Sequence, residues 1–153
     1  MKGREDPYDL RRFVQAQDAG GTYDAALREL RAGRKTSHWM WFVLPQLAGL
    51  GRSSTARHYA ISGAQEARAY LDHPVLGPRL RTCAQVLATL PTADPVAVLG
   101  SVDAQKLRSS MTLFAHVAPQ EPVFAAVLDR CFGGHDDPLT RELLERSAPP
   151  GTG

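Results

Sequence analysis

Leu76-Gly-Pro-Arg-Leu80-Arg-Thr-Cys83-Ala-Gln-Val-Leu87-Ala-Thr-Leu90 is the stretch whose reading decides the fold class. Leu76, Leu80, Cys83, Leu87 and Leu90 alternate four and three apart, a spacing that returns each side chain to one face of an α-helix. The stripe predicts the longest and best-buried helix of the chain. Shorter stripes lie on both sides of it. Leu10, Phe13 and Val14 give one; Tyr23, Ala26, Leu27 and Leu30, closed by Gly33, give another. Towards the C-terminus come Leu107, Met111, Phe114 and Val117, then Val123 to Cys131 stopped by Gly133-Gly134, and finally Leu139, Leu143 and Leu144.

Proline placement agrees with this reading. Asp6-Pro7, His73-Pro74, Asp94-Pro95, Glu121-Pro122 and Asp137-Pro138 each set a polar residue before a proline, ahead of an apolar run. Proline suits a first helical turn because its missing N–H would be unpaired there, and the preceding side chain can cap the free amides. Ser62 followed by Gln65 resembles a capping box, and Asp103 is read either as part of a local hydrogen-bonded set with Lys106 and Ser110 or as the plain N-cap of their helix. The run Trp39 to Leu44 is the one strand candidate, and a lone strand has no partner. The expectation is an all-α fold of about seven to nine short helices, with residues 1–146 as one domain and 147–153 as a frayed tail.

The 153 residues are 43% hydrophobic and 22% charged, a globular composition, and 18 basic against 16 acidic residues leave a formal charge of +2. So small an excess argues against a general nucleic-acid or membrane-surface binder. There is no Asn, one Ile, and three lysines against fifteen arginines. This is the usage of a GC-rich bacterial genome, and it makes each lysine more informative than another arginine. Cys83 and Cys131 form no CxxC motif and are read as buried free thiols. No stretch reaches membrane-spanning length and the first ten residues lack a signal-peptide core, so the expected location is cytoplasmic.

Three segments stand out chemically. Gly33-Arg34-Lys35-Thr36-Ser37-His38-Trp39-Met40-Trp41-Phe42 holds both tryptophans and one of the three lysines. If it is helical from Lys35, then Lys35, His38, Trp39 and Phe42 share a face that suits a ligand with an anionic group and a flat ring. The bland reading is that Trp41 or Phe42 fills the core and Lys35 offsets a helix end. The second segment, Gly49-Leu50-Gly51-Arg52-Ser53-Ser54, offers backbone amides before a helix, but lacks the lysine of a phosphate-binding P-loop; a plain serine N-cap is the simpler account. The third places Lys106, Ser109 and Ser110 at i, i+3 and i+4, an ammonium and two hydroxyls within an apolar stripe. The histidines show no metal-ligand spacing, and the scattered carboxylates Glu29, Glu66, Asp72 and Asp103 include none that the sequence singles out as an acid or base.

Gly33-Arg-Lys-x-Ser-His-Trp-Met-Trp-Phe42, Pro45-Gln-Leu-x-Gly-Leu-Gly51, His73-Pro-Val-Leu-Gly77 and Lys106-Leu-x-Ser-Ser-Met-Thr-Leu-Phe114 together resemble a family of small bacterial proteins, a domain of unknown function often given the automatic label calpastatin. The resemblance spans roughly residues 8–145. It implies a compact, mainly α-helical fold and no established activity. The label itself fits poorly, since calpastatin is a disordered repeat protein and this chain has a core's worth of apolar residues and no repeat.

The functional expectation is a polar pocket for an anionic small ligand, a nucleotide or ADP-ribose-like metabolite. Arg34, Lys35, Ser37, Trp39, Gly49, Gly51 and Ser109 are the binding candidates, and His38, Lys106 and Ser110 the catalytic ones. Lys35 and Lys106 would meet phosphate, His38 donate a hydrogen bond or move a proton, and Trp39 stack. No metal or cofactor is expected, and the chain is expected to be a monomer or weak dimer. Residue chemistry leaves open whether the ligand is hydrolysed or transferred at a phosphate or glycosidic bond, or only bound. The alternative is a non-enzymatic binding module for a protein or nucleic-acid partner, with Trp39 on an open face; in a third, purely structural reading Trp39, Trp41 and Phe42 are all core.

Overall fold

The computed structural model describes residues 6–146, so the expected tail 147–153 and Lys2 lie outside the described residues. Ten α-helical segments follow one another: α1 (Arg11–Asp18), α2 (Thr22–Arg31), α3 (Met40–Val43), α4 (Ser54–His58), α5 (Ala64–Asp72), α6 (Leu76–Thr89), α7 (Pro95–Leu99), α8 (Ser101–Val117), α9 (Pro122–Phe132) and α10 (Pro138–Arg146). Seven are eight residues or longer and three are single short turns. The fold is all-α. Trp39–Leu44 is a helical turn, not a strand, and the nearest approach to a sheet among the described residues is one isolated parallel bridge, Leu47 to Ile61.

Three of the five proline signals open a helix, whereas Pro7 and Pro74 lie in turns ahead of α1 and α6. Pro95, Pro122 and Pro138 open their helices. The Asp94 carboxylate accepts the amides of Val96 and Ala97, and Asp6 those of Leu10 and Arg11. His73 acts as a cap through its ring, Nδ1 accepting the amides of Val75 and Leu76. Two expected caps are corrected. Ser62 is not an N-cap of α5; its amide donates instead to Glu66, whose other carboxylate oxygen takes Arg12. Asp103 does not cap α8, which begins two residues earlier, after Gly100.

The longest helix is α8, not α6. It packs against α5, α7, α9 and α10, and α6 closes the other side of α9. A central helix needs neither a clean amphipathic stripe nor a polar outer face. That is why Ser109, Ser110 and Thr112 appear among apolar residues there, all of them buried. An aromatic chain runs through the middle: Phe13 meets Tyr70 edge-on at 5.1 Å, Tyr70 meets Phe114 at 5.6 Å, and Phe114 meets Phe124 at 5.7 Å. The buried Tyr70 hydroxyl is satisfied by Gln17, which also donates to the Phe42 carbonyl. Cys83 is buried as expected, but Cys131 is only half-buried.

Two devices hold the loops between the short helices. The backbone ladder Ala48 N–H to Ile61 carbonyl (2.8 Å) and Ile61 N–H to Gln46 carbonyl (2.9 Å) ties the 45–52 loop to residues 59–62. From α1, Arg12 donates to the carbonyls of Tyr8, Asp9, His58 and Ala60 and pairs with Glu66 at 2.9 Å. A guanidinium with five directed donors suits such a junction better than an ammonium would.

Candidate functional site

The segment 34–39 is an irregular strap, not a helix. Its shape is set by Glu29 of α2. One Glu29 oxygen accepts the amides of Thr36 (2.8 Å) and Ser37 (3.1 Å) and the indole N–H of Trp39 (2.8 Å); the other accepts the Ser37 hydroxyl at 2.5 Å. Burial by itself raises this carboxyl, but these donors outweigh it and hold the pKa down at about 2. The strap is fastened at its start by the Lys35 amide, which donates to the Val98 carbonyl of α7 at 2.8 Å.

That fastening carries Lys35 to the start of α8. Its ammonium pairs with one Asp103 oxygen at 2.8 Å, and the Lys106 ammonium pairs with the other at 3.1 Å. The three side chains are 9%, 17% and 17% exposed for Lys35, Lys106 and Asp103. Burial pushes the Asp103 carboxyl up, and the hydrogen bonds and charges of the two lysines more than reverse this, keeping it below the usual aspartate range. The trio therefore carries one net positive charge. Lys106 also stands 3.7 Å over the ring of Trp41, and Lys35 lies 5.2 Å from that of Trp39.

The two tryptophans have opposite roles from those expected. Trp39 is fully buried, so it is no stacking platform for a ligand; once the strap is non-helical, its indole turns inward to Glu29 and the core. Trp41, read as a core candidate, is half-buried. Its ring lines a pocket of about 120 Å³, together with Gln46, Leu47, Gly49, Gly51, Arg57 and Tyr59 among others. Gly51 is sterically required there: a Cβ would fall 2.6 Å from that of Ala56 and 3.7 Å from the Trp41 ring. Ser53 is the plain N-cap of α4, accepting the Ala56 amide at 3.0 Å.

Of the other candidates, Ser37 serves Glu29, and Arg34 and His38 are exposed, with no hydrogen bond to the lysine pair among the described residues. Lys35, His38, Trp39 and Phe42 do not share a helix face, because α3 begins only at Met40. Ser109 turns to the opposite partner, donating to Gln105 and to the buried Asp137 of the α10 cap. Ser110 is fully buried and its hydroxyl has no partner. The structure thus joins Lys35 and Lys106 through Asp103 and sets Lys106 and the Gly49–Gly51 loop against Trp41. The sequence reading paired Asp103 with Lys106, as found, but missed Lys35 as its second partner and Gln46, Arg57 and Tyr59 as pocket walls; Glu29 was visible but indistinguishable from other carboxylates.

Residues 7–144 match the family described as "Protein of unknown function (DUF1810)". The chain belongs to the DUF1810 family. A solved structure, that of the conserved hypothetical protein Rv1873 from Mycobacterium tuberculosis, is 47% identical and superposes with a TM-score of 0.88, covering 92% of this chain and 99% of that one. No curated protein matches. Neither description names a ligand or a reaction, so any function for this DUF1810 protein has to be argued from the chemistry of its surface.

Proposed function

We propose that the protein binds a small phosphate-bearing metabolite of the nucleotide class at the Lys35–Asp103–Lys106 centre beside Trp41. One observation carries the reading: Lys35 and Lys106 are the only described lysines, and both converge on one carboxylate. Each ammonium has three donors and gives one to Asp103, which leaves donors and a net charge for an incoming anion. A cation held over a half-buried indole is also the arrangement that suits an anion joined to a flat ring.

Titration of inorganic phosphate into the protein by calorimetry tests this. Lys35→Ala and Lys106→Ala should each weaken binding by roughly tenfold, the scale of one charge-assisted contact. Unchanged affinity in both variants overturns the reading. A second reading, docking of a protein partner, is favoured by Val96 and Val102, which are 51% and 69% exposed in the segment that carries Val98 and Asp103. Val102→Ser would impair such docking and leave phosphate binding intact.

A further inference from the structure

Trp41 belongs to two environments at once. Lys106 covers its ring, and the same ring forms a wall of the pocket enclosed by the 46–51 loop and the Arg57–Ala60 turn. From this we infer that the pocket is the seat for the ring of the ligand, and that it is cut for a single six-membered ring. The inference rests on the phosphate reading above and specifies which phosphate ester the site takes: a pyrimidine mononucleotide in preference to a purine one.

Size is the first argument. The pocket measures about 120 Å³. A dry cavity of about 150 Å³ holds one benzene molecule, whereas pockets for whole drug-sized ligands start at about 300 Å³. The pocket is thus of the order of one ring and smaller than a fused bicycle with its substituents would fill.

Rigidity is the second. The loop cannot retreat easily, because the Ala48 and Ile61 amides tie it to the 59–62 segment and Gly51 lies against Ala56 with no room for a side chain. The opposite wall is held by Arg12 through the His58 and Ala60 carbonyls. Tyr59 is wedged between Phe13 at 5.8 Å and Phe42 at 5.2 Å. Pre-formed walls make volume a selective property, since accommodation of a larger ring would break these contacts.

Chemistry is the third. The walls include Trp41, Leu47, Ala48 and Ala56 with three amphipathic or polar side chains, Gln46, Arg57 and Tyr59. An indole face with an amide and a guanidinium matches a flat ring bearing carbonyl and amino groups better than it matches a saturated chain. Trp41 is the element shared by the pocket and by Lys106, so a ring seated against it brings its phosphate towards that ammonium.

The test is calorimetric titration of inorganic phosphate, uridine 5′-monophosphate and adenosine 5′-monophosphate into the intact protein. Uridine monophosphate should bind about tenfold more tightly than phosphate, the scale of one base–aromatic stack, and more tightly than adenosine monophosphate. Ala48→Leu, at an exposed wall position, should erase the advantage of uridine monophosphate and leave phosphate affinity unchanged; Gln46→Ala should shift preference towards the purine. Uridine monophosphate binding no better than phosphate, or no better than adenosine monophosphate, overturns the ring pocket while the lysine site stands. Absence of binding by all three at millimolar concentration overturns both.

Discussion

The ammonium of Lys106 stands 3.7 Å from the centroid of the Trp41 ring, while the neighbouring indole of Trp39, two residues earlier, is wholly buried against Glu29. Each tryptophan therefore has a lysine near its ring, but only Trp41 is open to solvent. This asymmetry gives the candidate site a built-in spectroscopic reporter.

Iodide should accordingly quench only the Trp41 share of the emission, and do so better than caesium, because the lysine pair concentrates anions beside it. Trp41→Phe should leave an emission that iodide hardly affects, and Lys106→Gln should narrow the difference between the two ions. Efficient iodide quenching in Trp41→Phe would contradict the buried position of Trp39.

Asp103 is an internal anion seated between the two lysines. Asp103→Asn keeps its shape and changes the net charge of the trio from one positive charge to two. We expect folding stability to fall by about 1 kcal/mol as the ion pairs are lost, with inorganic phosphate binding roughly fivefold tighter. Urea denaturation and calorimetry read the two effects separately. Weaker phosphate binding would mean that Asp103 matters as the clamp on the lysines more than as their counter-charge.

The Glu29 carboxylate organises the strap, and its pKa of about 2 lies below the ordinary 4.5. A depressed carboxylate stabilises the fold fully above the unfolded-state value and loses that contribution as pH falls through the folded one. Melting temperature should therefore drop between about pH 4.5 and pH 2, and Glu29→Gln should flatten that part of the profile. At neutral pH the variant should lose ~1–3 kcal/mol, since the amide keeps one acceptor and removes the charge from four hydrogen bonds. An unchanged acid limb would show that other carboxylates govern it.

Ser110 buries a hydroxyl that has no partner. Ser110→Ala removes that unmet desolvation at small cost in volume and should raise stability by about 0.5–1 kcal/mol in chemical denaturation, with phosphate binding unaltered. Loss of phosphate binding in this variant would return Ser110 to the ligand site.

Helix positions were legible because they depend on local signals. The Leu76–Leu90 spacing, the Asp94-Pro95 start and the caps at Ser53 and Asp94 each act within a few residues, and the structure contains them. The strap 34–39 was not legible. Its helical reading rested on spacing alone, whereas its shape comes from Glu29, a residue of the preceding helix that the sequence ranks no higher than Glu66 or Asp72. One wrong phase was enough to exchange the two tryptophans between core and surface.

By itself the sequence determined the all-α class, the helix starts at Pro95, Pro122 and Pro138, and the two chemically unusual lysine segments, because period, proline and composition are properties of short stretches. Tertiary structure alone decided that Lys35 meets Lys106 across Asp103, that Trp41 and not Trp39 stands beside them, and that Ser109 faces Asp137. These are contacts between elements far apart in the chain. They are fixed by how α2, α7 and α8 pack, which no local pattern encodes.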